Sequence, residues 1–146
     1  MNLRAARLAL RPTARGAAMT EFALAWPMAL LLVLGCVELA VWDAEAFTAR
    51  SAALAGARAA SVVGSDPDIA VGVALRVLAP SLVGVKATAW CPGQSGSAPQ
   101  VWVCAIDTGA AVEVDVGGSL PSLVPLLSGG RLPIRARAVV KKEVFM

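Results

Sequence analysis

The pattern of apolar and polar positions divides the chain in two. Residues 22–37 carry no charge; Glu38 interrupts, residues 39–42 resume the apolar run, and Asp43 ends it. As a helix, residues 22–42 would be about 32 Å long, which matches a bilayer hydrocarbon core of about 30 Å. Trp26 and Trp42 stand near the two ends, where indole rings favour the water interface. Beyond Asp43 the chain is dominated by alanine and has no proline until Pro67, so the helix is expected to continue unbroken over residues 17–63. Gly64, Ser65 and the Asp66-Pro67 pair end it. The pair has the form of an N-cap and first-turn proline for a short helix over residues 67–78, stopped by Pro80.

After Pro80 the period changes to two. Val83, Val85, Ala87 and Ala89 alternate with Gly84, Lys86, Thr88 and Trp90. A second strand is expected over residues 100–106, a turn at Asp107-Thr108-Gly109, and a third strand over 112–116. Residues 117–133, with three prolines and four glycines, are expected to form a loop holding Leu120, Leu123, Val124, Leu126 and Leu127. A last strand covers residues 134–141. The fold class expected is α+β: a long N-terminal transmembrane helix and a small head with an antiparallel sheet. No internal repeat is visible.

Charge sets the orientation. Arg4, Arg7, Arg11 and Arg15 precede the first acid, Glu21, and the rest of the chain is close to neutral. The positive-inside rule puts the leader in the cytoplasm and the head outside it. The net charge of +3 flanks an apolar run without interleaved aromatics, so nucleic acid is not an expected partner. The composition, 58% hydrophobic and 16% charged, lies beyond that of a soluble domain and favours the lipid bilayer.

The chain has no histidine, which removes the commonest general base and metal ligand. No catalytic residue, metal site or cofactor is expected, and the chain is not expected to be an enzyme. The acids Glu113 and Asp115 share one strand face, where Arg135 and Arg137 are expected as cross-strand partners. Cys91 and Cys104 flank a Gly/Ser/Pro loop. If the head is outside the cytoplasm, a disulfide closing a hairpin between two strands is favoured; two buried thiols are the alternative. Val33-Leu34-Gly35-Cys36 loosely matches a lipobox, although a small apolar side chain in a membrane helix accounts for Cys36 more simply.

The segment Gly16-Ala17-Ala18-Met19-Thr20-Glu21-Phe22 is the most informative. A basic leader ends in glycine, and five residues later a glutamate opens the apolar run. This resembles the processing site of type IV prepilins, and the Glu21-Phe22 pair resembles the Tad/Flp branch. Arg15-Gly16, Glu21-Phe22-Ala23-Leu24, Pro27, Gly35, Glu38 and Gly56-Ala57-Arg58 follow the order seen in TadE-like pseudopilins. Lys141-Lys142-Glu143 resembles their basic-then-Glu finish.

The resemblance implies a pilin-like architecture of three parts: a leader over 1–16, a helix over 17–63 that spans the membrane at 22–42, and an extracytoplasmic head over 64–146. It implies cleavage by a prepilin peptidase between Gly16 and Ala17, and assembly through Glu21 and Phe22. Expected partners are other pseudopilins or pilins and the membrane assembly platform, at the bacterial inner membrane. A stripe of small residues, Ala49, Ala52, Ala53, Gly56 and Ala60, is expected to form a seam between subunits; packing under the head's own strands is the alternative. The alternative function is a membrane-anchored binding protein or lipoprotein.

Overall fold

The computed structural model describes residues 14–62, 66–82, 84–122 and 129–143, with side chains from Met19 onward. The expectations for residues 1–13, for Val63, Gly64 and Ser65, for Val83, and for Leu123, Val124, Leu126 and Leu127 lie outside the described residues. The element order is α1 (Ala14–Ala59), α2 (Pro67–Leu78), β1 (Ala87–Ala89), β2 (Val101–Asp107), β3 (Ala111–Pro121) and β4 (Arg131–Lys141). The chain divides into two compact units, Met1–Val37 and Glu38–Met146, so the second half of α1 belongs with the head.

α1 is 46 residues long and passes through Pro27 without ending. It closes at Ala59, where Ala60 still donates to the Gly56 carbonyl before the chain turns. α2 begins as its sequence predicts. The Asp66 side chain accepts from the Asp68 amide at 3.1 Å, and Pro67 occupies the first turn, where its missing N–H costs nothing.

The two helices meet through small side chains. Ala49, Ala52, Ala53, Ala57 and Ala60 of α1 are buried with Ala70, Ala74 and Leu78 of α2. Gly56 lies against α2 so closely that a Cβ there would stand 2.6 Å from the Ala70 carbonyl oxygen and 3.2 Å from the Ala74 Cβ. The same core takes in Val103 of β2, Val112, Val114 and Val116 of β3, and Ala136 of β4. Alanine and valine bury little area each, so this core depends on close backbone approach and many short contacts.

The stripe Ala49, Ala52, Ala53, Gly56 and Ala60 is therefore packed against the chain's own head, the alternative to a seam between subunits. The same small residues that let two helices from different chains approach also let α2 and the sheet approach α1, and here the intramolecular packing takes them.

The sheet order is β1-β2-β3-β4. β2–β3 and β3–β4 pair antiparallel, but β1 pairs parallel with β2, Ala87 opposite Val101. The head's sheet is thus mixed, not antiparallel throughout. The intervening chain crosses back instead of turning as a hairpin. β1 is also only three residues long, Ala87–Ala89, shorter than the alternation suggests.

β3 overruns its expected end at Val116 and continues through Gly117 and Gly118 to Pro121. These glycines are sites of close approach, not a turn. A Cβ on Gly117 would strike the Trp102 ring, and one on Gly118, at φ 144°, would strike the Gln100 carbonyl. β4 starts correspondingly early, at Arg131.

The Gly56 contact yields a test. Gly56→Ala should destabilise the head by about 1–3 kcal/mol, the usual cost of overpacking. Gly72, on α2 with nothing within 4 Å of its Cβ position, is the control. Gly72→Ala should leave stability unchanged or raise it by up to about 1 kcal/mol. Urea midpoints of the detergent-solubilised full chain measure both.

Candidate functional site

The first half of α1 presents apolar side chains on every side. Phe22, Leu24, Trp26, Met28 and Leu32 are all more than half exposed, and so is Leu39 further along. Phe22 and Trp26, one turn apart, stack at 6.0 Å between ring centroids. Fully burying one large apolar side chain is worth about 1.5–3 kcal/mol, so this helix calls for an apolar medium or neighbouring helices. It is the one helix among the described residues long and apolar enough to cross a membrane.

Two carboxylates interrupt that apolar length, with different surroundings. Glu21 is exposed on the helix, one turn beyond Ala17 on the same side. Gly16 and Ala17 are within α1, so the expected cleavage point lies on helical backbone. Glu38 is buried, 5% exposed, and accepts a hydrogen bond from the Ser122 hydroxyl just after β3.

One turn later Trp42 turns to the head as well. Its indole N–H donates to the Pro133 carbonyl at 3.1 Å, and its ring packs on Val101, Leu120 and Ile134. By sequence Trp42 belongs at the water interface and Glu38 breaks the apolar run; the structure packs both against the head. The missed signal is periodicity: Glu38 and Trp42 continue the buried stripe of Ala49, Ala53, Gly56 and Ala60 at helical spacing, toward the N-terminus.

Beyond Trp42, the face of α1 that the head leaves uncovered carries Phe47, 70% exposed, and Leu54, 38% exposed. Asp43, Arg50 and Arg58 share this exposed side.

Cys91 and Cys104 form a disulfide with Cα atoms 4.8 Å apart, while Cys36 is free and exposed within α1. Because Cys91 follows β1 and Cys104 lies in β2, the bond staples a parallel crossover, not the hairpin expected. Beside it Trp90 and Trp102 pack edge to face at 5.8 Å. On the outer sheet face Arg137 pairs with Glu113 at 2.5 Å and stands 4.0 Å from Asp115. Asp115 is drawn out of solvent, and burial pushes its carboxyl above the ordinary aspartate range despite that guanidinium. Asp107 behaves oppositely: hydrogen bonds from Lys142 and from the Gly109 amide hold it below the ordinary range. These groups brace the sheet.

Residues 16–58 match the model of the family described as TadE-like protein. That segment is TadE-like. The matched TadE-like segment opens at Gly16 and closes at Arg58, so it holds the apolar run, both carboxylates and nearly all of the alanine stripe, and none of the strands. The likeness of this segment suggests involvement in Tad pilus assembly in general terms. No curated protein and no solved structure matches the chain.

The disulfide gives the prediction for this part of the molecule. Alkylation of the denatured, unreduced protein should modify Cys36 alone, and reduction should expose all three thiols, as counted by mass. Cys91→Ser should destabilise the head by about 3 kcal/mol in the loop-entropy account, read as earlier proteolysis.

Proposed function

We propose that this chain is a minor pseudopilin of a Tad-type pilus assembly, a structural subunit and not an enzyme. The observation that carries the reading is the TadE-like helix itself, apolar on all sides from Met19 to Val37, with one exposed carboxylate, Glu21, near its start. In this reading a prepilin peptidase cuts between Gly16 and Ala17. The helix stays in the bacterial inner membrane with its N-terminus at the cytoplasmic side, as the four leader arginines favour. The head lies outside, in a compartment where the Cys91–Cys104 bond persists.

The Glu21 carboxylate then has a defined task. A lone carboxylate in or at the edge of hydrocarbon is costly and marks a partner. Cleavage creates such a partner, the ammonium of Ala17 on a neighbouring subunit, while Phe22 packs beside the pair. Because the head occupies the alanine stripe, contacts with other pseudopilins and the assembly platform fall to the other face of α1, around Phe47 and Leu54.

The test is association. Removing one member of a buried ion pair costs about 3–5 kcal/mol. Glu21→Ala should insert and be cleaved normally, yet its co-purification with partner subunits should be lost. Phe47→Glu should also weaken association while leaving the head folded. Wild-type co-purification of Glu21→Ala would contradict the proposal.

A further inference from the structure

We propose that the hydrocarbon boundary on the head side falls between Val37 and Glu38, a full turn earlier than the apolar run suggests, and that the rim of the head around Ser122, Arg131 and Pro133 is a lipid-headgroup contact. The inference rests on the membrane-spanning reading of α1.

Residues 38–42 look like the end of a membrane span, but their contacts are with the head. Ser122 holds the Glu38 carboxylate, and the Pro133 carbonyl holds the Trp42 indole. Hydrocarbon excludes such a rim, because strand ends and turns carry backbone groups that lipid cannot satisfy. The face of this turn that the head leaves open is nevertheless apolar, with Leu39 62% and Val41 41% exposed. A turn with protein on one side and apolar side chains on the other fits the headgroup layer better than either water or the acyl core. Arg131 is exposed two residues before Pro133, and a guanidinium there suits a lipid phosphate.

The remaining length agrees. Residues 19–37 span about 28 Å as a helix, close to the hydrocarbon thickness of about 30 Å. Moving the outer boundary from Trp42 to Val37 draws the helix inward by five residues, about 7 Å. Glu21, which the longer span would leave at the inner edge, is then carried several ångströms into hydrocarbon. The head-side contacts of Glu38 and Trp42 thus determine how strongly Glu21 needs a partner.

Nitroxide depth measurement on the full chain in phosphatidylcholine–phosphatidylglycerol vesicles tests this. Labels are placed on native Cys36 and, in Cys36→Ser protein, on Leu39→Cys, Val41→Cys, Arg131→Cys and, as a head reference, Lys86→Cys. An intact disulfide by mass certifies each fold. Collision with oxygen against a water-soluble nickel chelate should place the Cys36 label about 4.5 Å deeper than the Leu39 label, three residues of helix rise. The Arg131 and Val41 labels should sit at the phosphate level, and the Lys86 label in water. A Val41 label in hydrocarbon, or an Arg131 label as open to nickel as Lys86, would overturn the proposal while leaving the membrane span intact. A Cys36 label open to water would instead remove the span on which the proposal rests.

Discussion

The head is held to the helix by the approach of Gly56 to the backbone of Ala70, and much else follows from that closeness. With a side chain at position 56 the α1 and α2 backbones would have to separate. Ala52, Ala53, Ala57 and Ala74 would then lose the short contacts that compensate for their small size. The valines of β2 and β3 close over the same seam, so the sheet's position depends on it too. Because small residues serve this internal contact, one face of the outer half of α1 is used up. Among the described residues, α1 keeps two apolar surfaces to place elsewhere: the whole circumference of residues 19–37 and the face bearing Phe47 and Leu54.

The two carboxylates of the helix show how placement, not residue type, assigns a role. Glu38 is enclosed by its own chain and answered by Ser122. It works with Trp42 to bind the end of β3 and the start of β4 to the helix. Glu21 lies seventeen residues earlier, exposed on a surface that none of the described residues covers. A satisfied acid marks the edge of the head, and an unsatisfied one asks for another molecule. This asymmetry, within a segment that is TadE-like, is what supports an assembly role over a solitary membrane-anchored binding module.

Much of the fold was legible because local chemistry determines it. Asp66-Pro67 caps α2 by side-chain geometry that needs no tertiary partner. The valine alternation of residues 112–116 and the arginine alternation of β4 give strands at period two. What was not legible came from tertiary contact. Gly117-Gly118 has the composition of a turn, and only the overlying Trp102 and the Gln100 carbonyl make it strand. Parallel pairing of β1 leaves no local mark, since three residues alternate identically in either direction. At the candidate site, the apolar run, Glu21 and the disulfide pair were visible in sequence. The burial of Glu38 and Trp42 was not, because their partners Ser122 and Pro133 lie 84 and 91 residues away. The alanine stripe was visible, but sequence alone could not say which chain would fill it.

The central claim is that this is a processed, prepilin-type subunit whose functional N-terminus is Ala17. The intact mass of the protein extracted from its native membrane tests that claim most directly. The account predicts a chain beginning at Ala17, lacking residues 1–16, with its one disulfide intact. An uncut chain, or one cut before Cys36 and carrying lipid there, would contradict it.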